Sequence, residues 1–271
     1  MSHLKRGFAL LDNLIYYSTG PPDMEHETMQ TRTNFWRAIR TMELLTALST
    51  GLTIWRVYGM RATMRYLAGL ALATRAQCAF LAAMIHKTGT KQVSLADVMT
   101  LSRAATGAML AGLVASGIRD RTGLAGKLSW SLILLEATAI DWLDGPLARL
   151  IGPSQLGGVM DIEADSWLTL WAAISAAQWA DLPRWCLLPP IIRYLDPMLA
   201  LNRGKLPRGG GPWWSRLTGT SQMVLFLAAL APLQGHWRER VKRMVQMAAL
   251  PVSVGQVAAI VVLLGRNFEE E

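Results

Sequence analysis

Between positions 141 and 165 the chain reads DWLDGPLARLIGPSQLGGVMDIEAD, and it places Asp141, Asp144, Asp161, Glu163 and Asp165 among Leu, Ala, Trp and Met. Asp141 and Asp144 stand three apart and Asp161 and Asp165 four apart, so on helices each pair shares one face. The stretch Leu150 to Leu156, with Gly152 and Pro153, folds the two helices back so that the acidic faces meet. Converging hard oxygen ligands suit Mg²⁺ or Mn²⁺, and two such ions balance four carboxylates. Gly145 and Ala148 are small enough to let a ligand reach the helix backbone, and Arg149 can grip a phosphate with a forked pair of bonds. Metal-assisted work on a phosphate-bearing substrate is the chemistry these residues point to. Glu163, two residues from Asp161, points away from that face toward another helix or the loop.

An apolar frame must hold these charges. About half of the 271 residues are hydrophobic, and 17% are charged, against roughly 25% in a soluble domain. Six apolar segments, 98–118, 126–149, 157–180, 183–201, 216–235 and 244–265, each approach the ~20 residues that cross a bilayer. Backbone groups in lipid must bond internally, so the segments read as helices. Breaks are expected at Arg119-Asp120-Arg121, Gly152-Pro153-Ser154, Asp181-Leu182-Pro183, Arg203 to Pro212, and Arg238 to Arg243. The fourth segment is interrupted by Pro189-Pro190, Arg193 and Asp196. The fold class expected is therefore all-α: a polytopic six-transmembrane-helix bundle over 94–271, with an N-terminal helical extension over 1–93. That extension is polar over 1–35 and reads as amphipathic helices over 36–88, on or beside the membrane or as a soluble cap.

Charge and composition narrow the function further. The net charge of +8 suits anionic headgroups or a charged substrate, and no nucleic-acid motif is visible. Cys78 and Cys186 are too few for a disulfide framework or a zinc cluster and read as packing residues. The four His are scattered and none is assigned to metal. The opening residues have an apolar run broken by Asp12 and Asn13, unlike a cleavable signal peptide, so targeting falls to internal helices. Basic residues in the N-terminal third and at Arg203, Lys205, Arg208 and Arg216 place those regions in the cytoplasm, although Arg238, Arg240, Lys242 and Arg243 fall on the other side of a six-helix scheme.

Asp141-x-x-Asp144-Gly145-x-x-Ala148-Arg149, then seven residues, then Gly157-x-x-x-Asp161-x-x-x-Asp165, resembles the signature of the class I, integral membrane CDP-alcohol phosphatidyltransferases. The gap before Gly157 is one residue shorter than in many members. The resemblance covers about 94 to 266, the usual six-helix catalytic unit. It implies that a CDP-linked lipid, CDP-diacylglycerol, is attacked by an alcohol, that CMP leaves, and that a phospholipid forms. It also implies two divalent ions, Mg²⁺ or Mn²⁺, held by Asp141, Asp144, Asp161 and Asp165, with Asp165 also the general base. Gly145, Ala148 and Arg149 would contact the CDP portion, and Gly157 would let the helices approach. Thr100-x-x-Arg103 is similar to a first-helix motif Asn-x-x-Thr-x-x-Arg, with Asp97 in place of the Asn. Ser166 stands where many relatives making phosphatidylglycerophosphate or cardiolipin carry Lys. The resemblance further implies a homodimer in the bacterial inner membrane with its site facing the cytoplasm.

Competing readings stay in view. Arg103 can pair with Glu136 or a motif aspartate instead of touching nucleotide. Arg193, Arg216 and the Arg203–Arg208 cluster can bind an acceptor phosphate or anchor headgroups, and Arg216, followed six residues on by Gln222, is the acceptor-side candidate. Glycerol 3-phosphate is the default acceptor. A prenyltransferase-like enzyme using a diphosphate lipid would also need carboxylates and Mg²⁺, but without the Gly-x-x-Ala-Arg insert. A transporter could use an intramembrane acidic cluster as a cation path.

Overall fold

The computed structural model describes residues 44–45, 47–88, 95–118, 155–180, 182–202, 213–231 and 233–269. These residues are almost all helical, without a strand among them. After a helical stretch at 47–58 come α1 (Met60–Thr88), α2 (Leu95–Ser116), α3 (Gln155–Trp179), a 3₁₀ turn (Arg184–Leu187), α4 (Leu188–Asn202), α5 (Trp213–Leu230) and α6 (Gly235–Glu269). The second expected segment, 126–149, lies outside the described residues, together with Asp141, Asp144, Gly145, Ala148 and Arg149.

Small residues set the order of packing. Stretch 47–58 and α1 join at Gly59, whose φ of 80° is a left-handed conformation that side chains with a Cβ disfavour. The chain folds back there, so that the Tyr66 ring meets Gly51 and its hydroxyl donates to the Ala47 carbonyl at 3.4 Å. Further along, α1 lies on α2. A Cβ on Gly69 would stand 2.5 Å from the Ala115 Cβ and 3.1 Å from the Gly112 Cα, so glycine is what lets the two backbones approach. The α2–α3 seam uses the same device, since a Cβ on Gly107 would fall 2.4 Å from the Trp167 ring. Helix α2 is thus held between α1 and α3, α6 packs on α5, and α4 bridges α3 and α6. The core runs from Ile54 and Tyr66 through Leu110, Leu168 and Ala172 to Phe226, Val245 and Ala249. Cys186 is buried in that core and Cys78 is half-buried, both as free thiols, and burial pushes the Cys78 thiol up.

Among the described residues one helix is long and apolar enough to cross a membrane, over Gly235–Val262, with a shorter apolar run at Leu217–Leu230. Of the six expected spans, one clear candidate stands among the described residues, and the segment at 126–149 lies outside them. The physical reasons are local: α3 carries Asp161, Glu163 and Asp165 in its first half, and α4 has 15 residues, fewer than a bilayer requires. Two boundaries also differ from expectation. Pro189 and Pro190 begin α4 instead of breaking a longer helix, because the first turn needs no amide hydrogens. The basic run from Arg238 to Arg243, expected as a break, lies inside α6, where Arg, Glu, Lys and Met are good helix formers. The break falls before Gly235, whose φ is 58°. An exposed stripe of Met244, Met247, Leu250, Val254 and Val261 runs along α6, as a lipid-facing surface would.

Candidate active site

Helix α3 supplies the described half of the acidic motif. Gly157 lies one turn before Asp161, and Asp161 one turn before Asp165. Successive turns of one helix aim the two carboxylates the same way, and both reach Arg103 of α2. Nη2 of Arg103 donates to Asp161 Oδ1, and Nη1 donates to Asp165 Oδ1 at 2.6 Å. The Arg103 side chain is fully buried, while those of Asp161 and Asp165 are 49% and 31% exposed. A guanidinium taken out of water needs charged partners, and the two carboxylates supply them with charge-assisted bonds. Thr100, one turn before Arg103, is buried on the same helix.

A second cation approaches from α4. Arg193 Nη2 stands 3.8 Å from Asp165 Oδ2. On α5, a Cβ at Gly219 would come within 3.3 Å of Arg193 Nη1, so the glycine leaves the guanidinium its room. Asp165 thus has a buried arginine on one oxygen and a half-buried arginine near the other. Arg216 lies in the first turn of α5.

The opposite side of α3 is built differently. Glu163 is 1% exposed and accepts a hydrogen bond at 2.7 Å from Gln77 Nε2 of α1. One turn on, Trp167 rests in the gap at Gly107, with the Tyr194 ring of α4 at 5.5 Å and the Trp171 ring at 5.6 Å. The sequence assigned Glu163 a direction but no partner. Gln77 and Tyr194 carried no signal, because a single Gln or Tyr in a helix is ordinary and Gln77 lies 86 residues away.

The site brings together Asp161, Asp165, Arg103 and Arg193. Among the described residues Arg103 bonds two motif aspartates, Asp161 and Asp165, whereas Glu136, the other partner the sequence allowed, lies outside them. No three potential metal ligands cluster among the described residues. The donor set nevertheless suits a hard divalent cation: two carboxylates one turn apart already converge on one positive centre. Asp141 and Asp144 would have to complete such a centre.

Neither the curated proteins nor the solved structures give a significant match to the chain. The sequence model of the CDP-alcohol phosphatidyltransferase family matches residues 93–265, from just before α2 to within α6. That span is well over half of the chain and contains every residue of the acidic motif. With Asp161 and Asp165 converging inside it, the chain belongs to the CDP-alcohol phosphatidyltransferase family, membrane transferases of phospholipid biosynthesis that generally depend on a divalent metal.

Proposed function

We propose that the chain transfers a phosphatidyl group from CDP-diacylglycerol to an alcohol and releases CMP, with glycerol 3-phosphate as the acceptor. The observation that carries this reading is the convergence of Asp161 and Asp165 on one positive centre at the α2–α3 seam, inside the family-matched span. Two divalent ions, Mg²⁺ or Mn²⁺, would be held by Asp141, Asp144, Asp161 and Asp165, and when bound they supply charge stabilisation for the phosphates.

The chain's own side chains do the rest. Gly145 and Ala148 admit the CDP portion close to the helix backbone, Arg149 pairs with a phosphate, and Gly157 lets the helices approach. Thr100 and Arg103 sit one turn apart behind the nucleotide side, where the buried Arg103 keeps the two aspartates in register. Asp165 accepts the proton of the attacking hydroxyl. The new bond joins that oxygen to the lipid-bearing phosphorus as the bond to CMP breaks. Arg193, near Asp165, and Arg216 favour an acceptor that itself carries a phosphate. The exposed apolar stripe on α6 supports burial in a bilayer, and the basic N-terminal third supports a site facing the cytoplasm of a bacterial inner membrane. A homodimer rests on the family resemblance.

The deciding experiment offers purified full-length protein CDP-diacylglycerol with Mg²⁺ or Mn²⁺ and a panel of acceptors: glycerol 3-phosphate, inositol phosphate, serine and phosphatidylglycerol. CMP release with one acceptor and not without it is the expected result. No CMP from any of the four overturns the reading, and consumption of a prenyl diphosphate or metal-ion flux would replace it.

A further inference from the structure

We infer that Gln77, on a helix outside the family-matched span, is a positioning residue that fixes the rotation of α3 and so the aim of Asp161 and Asp165. The inference rests on the transferase reading for its meaning, but its physical basis is independent of it. Glu163 lies between the two aspartates in sequence, and helical geometry turns it about 200° from Asp161. Asp161 and Asp165 are therefore tied to α2 through Arg103, while Glu163 is tied to α1 through Gln77. Two bonds on different sides of one helix act as a clamp. Together with the seating of Trp167 at Gly107, the two bonds resist a roll of α3 in either direction.

The clamp can transmit force because α1 is itself fixed. Gly69 and Gly112 hold the α1 and α2 backbones together, and Ala73 is buried among Ala108, Ala111 and Trp167 one turn before Gln77. Helix α1 meets α3 over a short stretch only, so the Gln77–Glu163 bond is a principal tie between them. A buried carboxyl that loses its donor is costly in an apolar setting. The relief open to it is a roll of α3 that brings Glu163 toward water. That same roll carries Asp161 and Asp165 off Arg103. The amide of Gln77 thus protects the aspartates' geometry without touching substrate or metal.

The test uses the full chain in detergent or nanodiscs, with Mn²⁺ affinity read by electron paramagnetic resonance beside kcat, acceptor KM and melting temperature. Gln77→Leu is expected to weaken Mn²⁺ binding and lower kcat about tenfold each, the scale of losing a group that orients a metal ligand, with acceptor KM little changed. The exchange Gln77→Glu with Glu163→Gln restores an amide–carboxyl pair in reverse and is expected to recover most of both. Glu163→Gln alone, which keeps the shape and a hydrogen bond to Gln77, is expected to hold Mn²⁺ affinity near wild type. It serves as the deciding variant if Gln77→Leu does not fold. The inference is overturned if Gln77→Leu lowers only the melting temperature, if the exchange recovers nothing, or if Glu163→Gln loses Mn²⁺ outright. Wild-type protein that binds Mn²⁺ yet releases no CMP overturns the transferase reading instead, and the clamp is then judged on Mn²⁺ affinity. Wild-type protein that binds no Mn²⁺ overturns both.

Discussion

Asp161 and Asp165 keep 49% and 31% of their side chains exposed and answer to a buried guanidinium, whereas Glu163, two residues from each, is 1% exposed and answers to a neutral amide. Three acids within five positions of α3 are thus treated in two ways. The accessible side gathers positive charge, Arg103 beneath and Arg193 beside, where both carboxylates keep part of their exposure. The closed side offers a hydrogen bond and aromatic packing, with Trp167 set into the gap at Gly107. The contrast shows that the identity of a charged residue in a helix says little about its task. What faces it decides: exchangeable charge on one side, a fixed partner on the other.

If the accessible side is the reacting side, the largest effect belongs to Asp165. Replacing Asp165 with Asn removes a negative charge and the proton acceptor while keeping the shape. Turnover measured as CMP release is expected to fall about 10²- to 10⁴-fold, the usual loss for a general base. Wild-type turnover in that variant would strip the accessible side of its assigned chemistry. Arg103 comes next, because it joins the charged side to the packed interior. Arg103→Leu leaves two carboxylates without their buried partner, and stability in detergent is expected to drop by less than the roughly 3 kcal/mol that breaking a fully buried pair costs, because both carboxylates keep part of their exposure. Arg103→Lys keeps the charge but cannot fork to both aspartates, so it should fall between the two. Chemical denaturation in micelles measures both.

At the Gly107–Trp167 contact the expected loss is mechanical. Gly107→Ala puts a Cβ 2.4 Å from the Trp167 ring, which must shift. Overpacking of this kind costs about 1–3 kcal/mol. A lower melting temperature with CMP release preserved below the transition would separate this contact from the Gln77–Glu163 bond. Abolished turnover in a folded Gly107→Ala protein would mean that the Trp167 contact too sets the aim of the aspartates.

The sequence carried the helical class because apolar runs with Gly, Pro and charge at their ends have few other readings. It carried the pairing of Asp161 with Asp165 because helical spacing sets which residues share a face. The start of α4 was misjudged for a physical reason: proline breaks a helix interior but suits a first turn, and spacing alone does not say which turn it is in. The Arg238–Arg243 run was misjudged for another, since charge signals a membrane boundary and not a helix end. Gln77 was out of reach entirely. Its contact with Glu163 depends on how closely Gly69 and Gly112 let α1 approach α2, and that is a property of packing between distant segments.

The smallest expected effect falls at the rim of the accessible side. Arg193 stands 3.8 Å from Asp165, and its side chain is 26% exposed. A partly exposed pair at that distance contributes at most about 1 kcal/mol to stability, so Arg193→Gln should melt close to wild type. Its charge matters instead for what arrives. If Arg193 receives the acceptor's phosphate, Arg193→Gln raises the KM for glycerol 3-phosphate about tenfold, the kinetic equivalent of roughly 1.4 kcal/mol of binding, with kcat little altered. Glycerol without its phosphate should lose that discrimination, reacting as slowly with the variant as with the wild type. An unchanged KM together with a lower kcat would move Arg193 from the acceptor to the support of Asp165, and the accessible side would then contain two arginines with the same task.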